Sequence, residues 1–79
     1  MNITVKYFGV IAETTGKAEE ALEVSDDIES LKTLKSYLVK KYGLHDPESI
    51  QVSINHSLRD SDQLKNGDEV ALLPPFSGG

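Results

Sequence analysis

Only one stretch of this chain repeats its apolar residues at helical spacing. Ile28, Leu31, Leu34, Leu38 and Tyr42 fall three or four positions apart, while Lys32, Lys35, Lys40 and Lys41 take the other face or the last turn. That is an amphipathic helix with its cations placed to suit the carboxyl-terminal end of the dipole. Asp26 or Asp27 is expected to cap it, with Glu29 completing a capping box from Asp26. Gly43 follows the last periodic residue, where a left-handed residue ends a helix. A ferredoxin-like fold needs two helices, so a single helical stretch argues against it.

The remaining apolar residues repeat with period two. Ile3, Val5 and Tyr7 alternate with Thr4, Lys6 and Phe8, the pattern of a strand with one face on a core. Thr14, Thr15, Gly16 and Lys17 read as a polar turn, after which Leu22 and Val24 point the same way, so an amino-terminal hairpin is expected. Beyond the loop His45-Asp46-Pro47-Glu48, a third strand is carried by Ile50, Val52 and Ile54. The turn Asn55-His56-Ser57 leads to a short segment around Leu58, and Asn66-Gly67 turns the chain into a last strand, Val70 to Leu73. Pro74-Pro75 stops that strand, because proline has no amide hydrogen for a ladder. The order strand, strand, helix, strand, short strand, strand predicts an α+β domain of the β-grasp type, a mixed sheet of four to five strands with one main helix across it. Residues 1–73 form the expected domain and residues 74–79 a flexible, extended tail.

With 79 residues and no cysteine, there is room for one small core and none for a disulfide, a thiolate nucleophile or a zinc-thiolate site. Any sulfur chemistry must import its sulfur. Thirteen acidic residues against eight basic ones repel phosphate backbones and anionic lipid and favour a partner with a basic face, so neither nucleic acid nor membrane is an expected partner. The start Met-Asn-Ile-Thr-Val has no signal-peptide pattern, which makes a cytoplasmic location the expectation. His45 and His56 stand alone, without a second ligand at metal spacing, and no metal site is expected.

The tail holds the residues of greatest chemical interest. Gly78-Gly79 presents a carboxylate with no side chain over two positions, able to enter a channel too narrow for a Cβ. An extended run from Pro74 reaches about 20 Å, enough to place that carboxylate inside another protein's active site. Alternation also leaves apolar residues on the outer sheet face. If Ile3, Val5 and Tyr7 face the helix, Phe8 does not, and if Val70 and Leu72 face inward, Leu73 does not. Phe8 and Leu73, with Leu58 and Phe76, are the expected docking patch at the root of the tail.

The run Asn66-Gly67-Asp68-Glu69-Val70-Ala71-Leu72-Leu73-Pro74-Pro75-Phe76-Ser77-Gly78-Gly79 resembles the carboxyl-terminal signature of the small subunit of molybdopterin synthase. The likeness extends more loosely through Phe8-Gly9, the helix from Ile28 and Val52-Ser53-Ile54-Asn55. It implies a sulfur carrier of the ubiquitin-like β-grasp family, without catalytic activity of its own. The Gly79 carboxylate would be adenylated with ATP by an activating enzyme related to the ubiquitin-activating family. Sulfur from a persulfide donor would then convert it to a thiocarboxylate. The synthase large subunit would receive the tail and direct its sulfur at a pyranopterin precursor in molybdenum cofactor biosynthesis. The resemblance assigns the chemistry to Gly79 and Gly78, and docking to Phe8, Leu58, Leu73, Pro74, Pro75, Phe76 and Ser77. It implies no bound cofactor on this chain. Other acceptors, such as a thiamine-type pathway, and a ubiquitin-like protein modifier remain alternatives.

Overall fold

In the computed structural model, the residues described are 1–25, 27, 28, 30–55, 57, 58 and 63–74, with only the backbone of 57 and 58. The chain forms β1 (Asn2–Tyr7), α1 (Gly9–Thr15), β2 (Glu19–Glu23), α2 (Leu31–Tyr42), a 3-10 turn (Pro47–Ser49), β3 (Gln51–Ile54), β4 (Ser57–Leu58) and β5 (Glu69–Leu73). The strands lie in the order β2-β1-β5-β3-β4. The first and last strands meet in parallel at the centre, Val5 opposite Val70 and Tyr7 opposite Leu72, and the other pairs are antiparallel. Parallel neighbours need a long crossover, and the chain between β1 and β5 supplies α2 to cover one face. This is the β-grasp arrangement.

Alternation decides the faces. Ile3, Val5 and Tyr7 of β1 and Val70 and Leu72 of β5 are buried, and they share one core with Leu31, Leu34 and Leu38 of α2. Ile54 of β3 and Ile50 just before that strand join the core, while Val52 packs against it partly buried. Ser53, on the other face of β3, is also buried and pairs with Ala71 of β5 and Leu58 of β4.

Two expectations are corrected. The chain between β1 and β2 is not a hairpin turn at Thr14–Lys17 but the helix α1, closed by Gly16 at φ 79°. There are therefore two α-helices among the described residues rather than one. The seven residues of α1 bury only Ile11 and leave Val10 in solvent, so no apolar stripe marked the segment. Its threonines satisfy backbone locally, Thr14 Oγ1 donating to the Val10 carbonyl at 3.0 Å and Thr15 Oγ1 to that of Ala12 at 3.2 Å. The strands it joins are nevertheless antiparallel neighbours.

The second correction concerns the start of α2. Its cap is Ser30, whose Oγ accepts the Thr33 amide at 3.1 Å. Ile28 precedes the helix, in a turn where its amide donates to the Ser25 carbonyl. Asp27 lies in that turn, and Asp26 and Glu29 are outside the described residues. At the other end Gly43 takes φ 64° and closes the helix as expected.

Candidate functional site

The site is built where β5 ends. Strand pairing stops at Leu73, and the half-buried Pro74 is the last residue described. Next to it, β1 ends and α1 begins. The Phe8 amide donates to the Leu72 carbonyl at 3.3 Å, which fixes Phe8 at the same sheet end. Gly9 follows at φ +57°, and a Cβ there would lie 3.0 Å from Pro74 Cγ. That separation is closer than carbon atoms normally approach, so Pro74 rests against bare glycine backbone.

This geometry leaves apolar surface in solvent at the end of β5. Phe8 is 44% exposed and Val10 59%, with Leu73 half-buried. Phe8, Leu73 and Pro74 thus lie at one sheet end, although Phe8 is not in β1 as the alternation suggested but is the residue that leads into α1. Val10 was missed, although it is an apolar residue two places from Phe8; without the α1 register nothing said which way it points. The backbone of Leu58, in β4 and so three places from β1 in the sheet, pairs with Ser53, and its side chain is outside the described residues, as are Pro75, Phe76, Ser77, Gly78 and Gly79.

Behind this surface lies a polar cluster that the sequence did not reveal. Glu20 sits opposite Val5 in the β2–β1 register and receives the Tyr42 hydroxyl at 2.5 Å on Oε2, the same oxygen that accepts the Tyr7 hydroxyl. Lys17 Nζ donates to Oε1 at 3.3 Å. The rings of Tyr7 and Tyr42 meet edge to face, with centroids 5.9 Å apart. Burial pushes the Glu20 carboxyl up, but the Tyr42, Tyr7 and Lys17 donors outweigh it and hold the group below its ordinary 4.5. Burial, reinforced by the Glu20 contact, pushes the Tyr7 phenol well above its ordinary 10.0. The cluster ties β1, β2 and α2 together close to the site.

Among the described residues, no three histidine or acidic side chains are grouped so as to hold a metal ion. No described helix is long and apolar enough to cross a membrane. Phe8, Val10, Leu73 and Pro74 make an apolar surface at the end of β5, a geometry suited to docking.

Fold and site together define a small ubiquitin-like β-grasp protein, and the chain belongs to the ThiS family, whose pattern matches residues 5–79. It is 34% identical to the human molybdopterin synthase sulfur carrier subunit, over 98% of this chain and 93% of that one. Its fold matches one chain of the protein-protein complex of subunit 1 and 2 of molybdopterin-converting factor from Helicobacter pylori, with TM-score 0.70 and 30% identity over 100% of this chain and 100% of that one. SAMP1 from Haloferax volcanii superimposes with TM-score 0.78 at 26% identity, again over both full chains.

Proposed function

We propose that this chain is a thiocarboxylate sulfur carrier serving as the small subunit of a molybdopterin synthase. One observation carries the reading: the ThiS match runs to residue 79, so the family resemblance includes the Gly78-Gly79 segment beyond the apolar rim of Phe8, Val10, Leu73 and Pro74. The human relative's name supports sulfur carriage, and the two-subunit complex from Helicobacter pylori supports a large-subunit partner.

In this reading the Gly79 carboxylate, a resonance-stabilised group with no leaving group, attacks the α-phosphorus of ATP on an activating enzyme, releasing pyrophosphate and becoming an acyl-adenylate. The terminal sulfur of a donor persulfide attacks the acyl carbon and expels AMP, giving an acyl disulfide; a thiol then attacks the donor-side sulfur, forming a disulfide with the donor and releasing the thiocarboxylate. The paired glycines let that nucleophile enter the large subunit's active site, while the domain docks outside and holds it at high effective concentration. Phe8, Val10, Leu73 and Pro74, extended by Leu58, Pro75, Phe76 and Ser77, make the docking contacts. ATP, the persulfide and the acid-base groups belong to the partners.

Intact-mass analysis tests this. After incubation with ATP, activating enzyme and a persulfide donor, protein ending at Gly79 is expected to gain about 16 Da from exchange of oxygen for sulfur. Unchanged mass overturns the sulfur-carrier reading. Isopeptide adducts on lysines of other proteins, in place of sulfur delivered to a pyranopterin, assign the chain to protein modification instead.

A further inference from the structure

The helix α2 is the electrostatic exception in this molecule. Leu31–Tyr42 contains Lys32, Lys35, Lys40 and Lys41 and no acidic residue, leaving four basic residues against all thirteen acidic ones elsewhere in the chain. Three of these lysines do not merely coat a helix. Lys32, Lys35 and Lys40 border a groove of about 340 Å³ between α2 and the Pro47–Ser49 turn, floored by Val39 and Pro47, with Glu48 also on its wall. Lys35 is held in place by its donation to the Ile50 carbonyl at 2.9 Å. An ammonium has three donors, so it can still bind an anion.

We infer that this groove binds an acidic peptide segment of a partner protein, with carboxylates on the lysines and an apolar side chain on Val39 and Pro47. The shape argues for a peptide. Lys32 and Lys40 are eight helical positions apart, about 12 Å along the axis, so their charges are spread rather than gathered on one point. An extended peptide places same-side residues roughly 7 Å apart, a spacing that lets successive carboxylates meet different lysines. A compact phosphate would meet one or two lysines and face Glu48. The apolar floor adds contact area that a small anion cannot use, and the lysine stems extend it. The charge contrast between α2 and the rest of the chain steers an acidic segment to this face and away from others.

The groove is separate from the apolar rim but close to it. Ile50 directly precedes Gln51, which pairs with Leu73 at the end of β5, so Lys35 is anchored at the sheet end from which the tail departs. A partner can therefore occupy both faces at once. The inference does not depend on the sulfur chemistry.

The test is a titration of isotope-labelled protein with a synthetic peptide of alternating glutamate and leucine, followed by amide chemical shifts at low salt. Saturable shifts centred on Lys32, Lys35, Val39, Lys40 and Glu48 are expected, weakening as salt is raised. The double variant Lys32→Glu, Lys40→Glu should bind at least about tenfold more weakly with an unchanged melt, since both side chains are exposed. Lys65→Glu, outside the groove, should bind as the parent does, and a lysine-leucine peptide should not bind. Equal weakening by Lys65→Glu, or absence of saturation, overturns the inference. So do the same shifts with inorganic phosphate, which would make this a small-anion site, or shifts that grow with protein concentration alone, which would make the occupant a second copy.

Discussion

At the scale of single residues, Glu20 shows how a charged group enters a small core without disrupting it. Its oxygens are engaged by two phenols and one ammonium, bonds made stronger by the charge on their acceptor. Because its carboxyl is held below the ordinary 4.5, the folded state binds its proton less readily than the unfolded chain. The contribution is complete above that value and is lost as the pH falls through the lower folded value. Glu20→Gln should therefore lower stability near neutrality and flatten the loss as the pH falls through and below 4.5, read from urea melts at successive pH values. Tyr7 has the opposite sign. Its phenol is raised, so the folded state keeps a proton that the unfolded chain releases, and stability should fall as the pH rises through 10.0. Tyr7→Phe, which cannot ionise, should weaken that alkaline loss.

Between elements, core and rim positions should respond differently to truncation. Leu34 on α2 has no exposed surface and packs with Val5 in the core, so Leu34→Ala should cost about 2 to 5 kcal/mol by leaving a cavity. In a domain of this size that amounts to at least about 8 °C in the melting temperature. Phe8→Ala removes a ring that is 44% exposed and should change the melt far less, while weakening large-subunit binding by about 1 to 4 kcal/mol. A calorimetric melt and a binding isotherm on each variant check the contrast. A Phe8 variant that melts early and still binds would place that ring in the core. The α2 cap offers a smaller effect, about 1 kcal/mol for Ser30→Ala, because the Thr33 amide loses its acceptor.

For the molecule as a whole, the core runs through Leu72, and the chemistry proposed for this chain begins after the last strand. Deleting Gly79, or extending the chain past it with a tag, should abolish thiocarboxylate formation and leave the thermal melt within about 0.5 kcal/mol of the parent. Mass spectrometry and a melt on the same preparation separate the two effects. A tagged protein that still carries sulfur would rule out the terminal carboxylate as the carrier.

Local chemistry determined much of this on its own. The alternation of Ile3, Val5, Tyr7 and of Val70, Leu72 set the inward faces, because successive strand side chains must point oppositely. Gly43 marked the end of α2 for an equally local reason, its positive φ. Tertiary structure decided what local periodicity could not encode. Helix α1 is held through one buried side chain, Ile11, too little to leave a period in the sequence. Ser30 rather than Asp26 or Asp27 caps α2, because the register in which Leu31, Leu34 and Leu38 meet the sheet fixes where the first helical turn begins. Glu20 is enclosed by Tyr7 and Tyr42 from distant positions, and Lys32, Lys35 and Lys40 become a groove only against Pro47. Each of these depends on which surfaces the core brings together, and contacts between residues far apart in the chain leave no pattern along it.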